Sequence, residues 1–419
     1  MAYKEPIQIG GYTKEGFEKV RDVFQFNFYH RNEVGASCCV YFEGEKVVDL
    51  YAGYKDKDRR KHWEENTLAL LFSTTKGISS LAMAMLHSRG LLDYDEKVAT
   101  YCAEFAANGK ENVTVRQLFA HQAGVFSNKK SFSYELLTDE KALSSALAKQ
   151  KPYWKVGDRQ GYHAWTIAMY QNELMKRIDP KGRNLSEFVY EEIAHSLGVE
   201  MYIGFPKEIN IERKADNIPF NPLEAITGGN NRDFGKLIKN ITNPFSMFYK
   251  SLLNPPFAIN LNNFNKRKYI EIQNGAALGF SNARGLATIY NEFATGGKKL
   301  GIRNETLKEL AKTPIAPKIR RTDLVLGVNI PFSVGFAKPS TYQNFGIDYK
   351  AFGTFGAGGS GAFADPTLKV AFAYVMNKMG THIANDPREL ALRQATYDCV
   401  LAIEHNRNLK KEVFATKVE

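Results

Sequence analysis

The residues whose types and spacing most directly suggest chemistry are Ser73 and Lys76 of Ser73-Thr74-Thr75-Lys76. Three positions apart on a helix puts two side chains on one face. A serine hydroxyl is a weak nucleophile until a base takes its proton, and a lysine whose pKa is lowered by burial can be that base. A serine at a helix start also lies where backbone N–H groups can hold an oxyanion. A serine N-cap with a solvated lysine in the first turn produces the same pattern, so the spacing alone leaves both readings open. Ser127-Asn128-Lys129-Lys130 repeats the spacing, but no apolar helix follows it and it reads as a loop. Gly356-x-Gly358-x-x-Gly361 spells a dinucleotide fingerprint. It is followed at once by Asp365-Pro366 and a strand-like run, so it lacks the helix such a site needs. The eight histidines are scattered, without H-E-x-x-H or paired-cysteine spacing, and no metal site is indicated.

The elements around Ser73 must position it. The apolar run Leu68 to Phe72 precedes it, and Thr74 to Leu92 reads as a helix with Ile78, Leu81, Met85 and Leu86 on one side. Residues 14–31 carry Phe17, Val20, Phe24 and Phe28 at helical spacing. Val34 to Phe42, broken by Glu43-Gly44-Glu45 and followed by Val47 to Tyr51, predicts a β-hairpin. The stretch from about 93 to 260 mixes helical patterns and loops; Thr114 is a cap candidate, Leu185 to Val189 opens a helix, and 254–268 reads as loop. Ser281 to Phe293 predicts a helix ended by Gly296-Gly297. Val325 to Val328, Gly335-Phe336, Ala362 to Ala364 and Val370 to Met376 read as strands of an antiparallel sheet, and 386–406 as a closing helix. Strands at both ends with helices between them predict an α/β (α+β) fold whose sheet is built from both termini. The expected division is a sheet subdomain from 1–80 plus 270–419 and a mainly helical subdomain over 81–269, together one domain.

The runs Leu71-Phe72-Ser73-Thr74-Thr75-Lys76-Gly77 and Thr114-Val115-Arg116-Gln117-Leu118-Phe119-Ala120-His121-Gln122-Ala123-Gly124-Val125 together resemble landmarks of the serine β-lactamase-related family. That family includes class C β-lactamases, D-alanyl-D-alanine carboxypeptidases, related esterases and animal β-lactamase-like proteins. The resemblance spans about residues 15–405 and implies a penicillin-binding-protein-like fold: an antiparallel sheet flanked by helices, with a mainly helical insertion. It makes Ser73 the nucleophile and Lys76 its base, leaves His121 structural, and identifies Tyr162-His163-Ala164 with the family's Y-x-N or Y-x-S motif. Tyr162 would then share proton transfer with Lys76, with a pKa lowered by the ammonium ion, and His163 could line the pocket. Ala164 lacks the amide that β-lactamases use to bind substrate. The third motif falls at Thr354-Phe355-Gly356-Ala357. There Thr354 replaces the usual Lys or His, Gly356 allows close backbone approach, and the N–H groups of Ser73 and Ala357 would form the oxyanion hole. Loss of the cationic residue points away from carboxylate-bearing substrates and toward neutral esters or amides.

Composition bounds the rest. Hydrophobic residues are 44% of 419, enough for a large core. The net charge of +11 comes from interleaved residues, as in Lys55-Asp56-Lys57-Asp58-Arg59, with no basic helix, so nucleic acid is not an expected partner. Four cysteines, Cys38, Cys39, Cys102 and Cys399, are too few for a disulfide scaffold, and the first pair reads as strand filling. The N-terminal residues lack an apolar signal core and no run of about 18 apolar residues occurs, so an intracellular, cytoplasmic protein without a membrane span is the expectation. The leading functional reading is a serine hydrolase that acts on a small ester or amide through an acyl-enzyme and needs no cofactor. The alternative, from the departures at Ala164, Thr354 and Phe355, is the same fold kept as a weakly active or inactive scaffold or filament-forming protein. Homo-oligomerisation is left open.

Overall fold

The computed structural model describes residues 6–128, 130–221, 235, 239–382 and 384–415. Strands β1 (Ile9–Thr13), β2 (Gly35–Phe42) and β3 (Glu45–Gly53) come from the N-terminal part of the chain. A small sheet is made by β4 (Ala69–Leu70), β5 (Met201–Ile203) and β6 (Gly279–Ser281). Strands β7 (Phe332–Ser333), β8 (Phe336–Ala337), β9 (Phe352–Phe355), β10 (Gly361–Asp365) and β11 (Val370–Met376) follow. The main sheet runs in the order β1-β3-β2-β11-β10-β9-β8-β7, every pair antiparallel. Both chain ends therefore meet at its centre, where β2 pairs with β11 from Phe42 opposite Val370 to Ala36 opposite Met376.

Alternation along β11 decides the layering. Phe372, Tyr374 and Met376 join one buried cluster with α1 (Glu18–His30) and α5 (Pro387–Ala415). The small residues Ala371 and Ala373 join the opposite cluster, where α4 (Ala283–Ala294) packs close to the strand. Cys38 and Cys39 follow the same rule, one on each face, and all four cysteines are buried and free. The predicted hairpin and terminal helices are thus present. Thr114 caps α3 (Val115–Phe119) in a capping box with Gln117, a motif worth about 1 kcal/mol. No helix among the described residues is long and apolar enough to cross a membrane.

Helix α2 (Thr75–Ser88) is buried on nearly every side, its small residues Gly77, Ser79, Ser80, Ala82 and Ala84 as well as Ile78 and Leu81. The expected apolar side is present, and the remaining sides are buried as well, as in a central helix. Two segments differ from the sequence reading. Residues 254–268, read as loop, contain the 3₁₀ turns Pro256–Ile259 and Leu261–Asn265, each started by a Pro or Asn. Val325 to Val328, read as a strand, is a turn: the Asp323 carboxylate accepts the N–H groups of Val325 and Leu326. A side-chain acceptor that satisfies backbone donors locally competes with strand pairing.

Candidate active site

Ser73 is delivered by a sharp change of direction. Strand β4 ends at Leu70, Phe72 takes φ +46°, and a 3₁₀ turn (Phe72–Thr74) leads into α2. A non-glycine residue at positive φ is strained, and here its surroundings over-determine it. Leu71 N–H donates to Gly279 O at 2.9 Å, and the Thr75 hydroxyl donates to Phe72 O at 2.6 Å while accepting Gly279 N–H.

The same turn is bolted to the end of β9. Ser360 Oγ donates to Leu71 O at 2.8 Å and lies 3.0 Å from Thr74 Oγ1. Gly356 sits inside this clamp: a Cβ there would stand 2.3 Å from Leu71 O and 2.4 Å from Ser360 Oγ. Replacing Gly356 by Ala must push β9 off the nucleophile turn. We expect at least a tenfold loss of kcat and a stability loss of about 1–3 kcal/mol, the usual cost of overpacking, read by ester turnover and thermal melting. Ala357 follows on the exposed lip. No acceptor among the described residues takes the N–H of Ser73 or of Ala357.

Lys76 is fully buried. Its Nζ stands 3.1 Å from Ser73 Oγ, 2.7 Å from Ala164 O and 2.8 Å from Ala276 O. Burial drives its pKa well below that of an ordinary lysine. Ala164 therefore enters the site through its carbonyl. Tyr162 is also buried, interacts with Ser73, and lies with its ring 4.8 Å from Lys76 Nζ. Burial raises its pKa, against the lowering expected from an adjacent ammonium ion. Desolvation outweighs the interaction with Ser73, so Tyr162 remains a protonated phenol.

Residues distant in sequence pin Tyr162. Its N–H donates to Asp323 Oδ1 at 3.1 Å, and its carbonyl accepts the Ser251 hydroxyl at 2.7 Å. Asp323 is fully buried and also takes Gln160 Nε2, which joins the 323–326 turn to the Tyr162 segment. Neither residue carries a recognisable motif.

One sequence expectation needs correction. His163 does not line the cavity. Its Nε2 accepts Val125 N–H, and its own N–H donates to His121 Nδ1. The 3.0 Å contact between the two Nδ1 atoms then requires the proton on His163 Nδ1. Burial holds the His163 pKa down to about 3 and that of His121 well below its usual value, so the pair forms a neutral brace behind Tyr162. Thr354 does reach the cavity wall, but its hydroxyl donates to Thr74 O and accepts Gly77 N–H. It ties β9 to α2 in place of meeting a substrate carboxylate. The Gly356–Gly361 fingerprint is the turn joining β9 to β10, with no helix after it. In the second S-x-x-K match, Ser127 donates to Lys250 O, and Lys129 lies outside the described residues.

Ser73, Lys76, Tyr162, Thr354 and Ala357 border one cavity of about 380 Å³. Phe220, Phe248, Leu252, Leu261, Phe332 and Met379 supply apolar wall. Lys76 is the one lysine or arginine among its described lining residues. Such a site can activate a hydroxyl, polarise a carbonyl and hold an apolar, uncharged group. Among the described residues, no group of three His, Cys, Asp or Glu side chains could hold a metal ion.

The beta-lactamase family model matches residues 20–396. Esterase/beta-lactamase LipL of Mycobacterium tuberculosis is 28% identical over 375 residues, covering 89% of this chain and 83% of that protein. A family VIII carboxylesterase structure is 32% identical with a TM-score of 0.81, covering 94% of this chain and 100% of the other. A penicillin-binding protein homolog from Caulobacter crescentus is 32% identical with a TM-score of 0.76 over the same shares.

Proposed function

The chain belongs to the beta-lactamase family, a superfamily of serine hydrolases and esterases, and on that premise we propose that it hydrolyses a neutral ester or amide through an acyl-enzyme on Ser73. The observation that carries the proposal is the placement of Lys76. A neutral amine has two N–H bonds and one lone pair. Ala164 O and Ala276 O take the two N–H bonds, which leaves the lone pair for the Ser73 hydroxyl proton. Ser73 Oγ attacks the substrate carbonyl carbon, and the N–H groups of Ser73 and Ala357 receive the oxyanion. Tyr162, a phenol beside Ser73 and Lys76, passes a proton to the leaving oxygen or nitrogen and is reprotonated by Lys76. Water, deprotonated by the same pair, then releases the acid.

The cavity supports neutral substrates. A carboxylate entering it leaves water and meets aromatic and aliphatic wall, with Lys76 already committed to two carbonyls. We expect kcat/KM for p-nitrophenyl butyrate to exceed that for the p-nitrophenyl monoester of succinate by about a hundredfold or more, the equivalent of roughly 3 kcal/mol. Equal values for the two esters would remove the neutral-substrate reading.

A further inference from the structure

Behind the Ala357 lip lies a buried ionic cluster that the proposed chemistry does not use. Arg388, at the start of α5, is fully buried, and so are Glu33 and Asp386. Burying such groups costs several kcal/mol for each ion, and the cost is offset only when every donor is paired. Here all five guanidinium N–H bonds have acceptors. Nε and one Nη2 hydrogen go to the two oxygens of Asp386, both at 2.9 Å. Nη1 donates to Glu33 Oε1 at 3.1 Å and to Lys378 O at 2.9 Å. The last Nη2 hydrogen donates to Gly358 O at 2.8 Å.

That last bond reaches the residue next to Ala357. Gly358 O also accepts Gly380 N–H at 2.9 Å, so the peptide between residues 358 and 359 is held from two sides. The backbone packs closely against Asp386. A Cβ on Gly359 would stand 2.8 Å from Asp386 Cγ, and one on Gly380 would stand 2.0 Å from Asp386 Oδ2. Ser360 grips the other end of the turn at Leu71 O. The segment 356–360 is therefore fixed on its inner side to the Ser73 turn and on its outer side to Arg388.

We propose that Arg388 is a positioning residue: through Gly358 O it sets the direction of the Ala357 N–H and so the geometry of the oxyanion hole. The proposal rests on reading the Ser73 and Ala357 N–H groups as the oxyanion donors. Five donors in a planar fork are what the cluster requires, so lysine, a point charge with three donors, cannot replace arginine here.

The test compares Arg388→Lys and Arg388→Met with Glu33→Gln. The last variant disturbs the same cluster on the side away from the loop. We expect both Arg388 variants to lower kcat for p-nitrophenyl butyrate at least tenfold with KM within about threefold. Backbone hydrogen exchange should rise selectively in the peptide covering residues 356–360. Glu33→Gln should lower the melting temperature yet keep kcat within about twofold and leave that peptide's exchange unchanged. If Arg388→Met does not fold, Arg388→Lys is the variant read. Wild-type kcat and wild-type exchange at 356–360 in a folded Arg388 variant would overturn the proposal, as would an equal loss of kcat in Glu33→Gln. A wild-type protein without ester turnover would instead strike at the proposed function, and the exchange data would still decide whether Arg388 holds the loop.

Discussion

Ser73→Ala is expected to reduce ester turnover by about 10⁴-fold or more, the scale on which a triad-type nucleophile is lost, while the melting temperature stays within about 2 °C of wild type. The two effects separate because Ser73 Oγ contributes little to packing. Its polar partners are Lys76 and Tyr162, and both keep other anchors: Lys76 on Ala164 O and Ala276 O, Tyr162 through its backbone on Asp323 and Ser251. A loss of turnover accompanied by unfolding would assign Ser73 a structural part in the turn. Retained turnover would take it out of the mechanism.

Lys76→Met is the second large effect. Removing the base should lower kcat by about 10²–10⁴-fold, the range for general-base catalysis. It should also abolish the acidic limb of the pH profile. In the wild type, activity is expected to rise with pH as Lys76 loses its proton and to level off well below the ordinary lysine value, because burial lowers this pKa. The stability effect runs the other way. Between the lowered folded-state pKa and the usual 10.5, the unfolded chain binds a proton at Lys76 that the folded chain does not, so folding costs free energy at this site. Methionine has similar length and no charge. The variant should therefore melt no lower than wild type near neutral pH, and higher if the unmet demands of the two carbonyls are small. An active Lys76→Met enzyme would leave Ser73 without its base.

These expectations rest on features of unequal visibility in the sequence. Ser73 and Lys76 show themselves by spacing, and the apolar run before them marks a strand feeding a helix. Tyr162 is reached by resemblance alone; nothing in Tyr162-His163-Ala164 sets it apart from a core aromatic. The groups that hold the site in shape are less legible still. Ala164 and Ala276 act through main-chain carbonyls, which no side-chain pattern reports. Asp323, Ser251, Ser360 and Arg388 come from segments far apart in the chain and meet only after the sheet closes. Gly358-Gly359 did carry a hint, since adjacent glycines in a turn often mark close approach by another group. Here Gly358 meets Met376 and Met379, and Gly359 meets Asp386. The errors have a common cause: Val325 to Val328 was apolar enough for a strand, yet one buried carboxylate curls it, and His163 beside the motif tyrosine is turned inward by its bond to His121.

The central claim is that Ser73 is an activated nucleophile, and intact-mass analysis after exposure to a fluorophosphonate tests it most directly. The account predicts one covalent adduct on the wild-type protein, absent from Ser73→Ala. No adduct on folded wild-type protein, or an adduct that persists in Ser73→Ala, would contradict it; the first result would favour the scaffold reading of the fold, and the second would place the reactive group elsewhere.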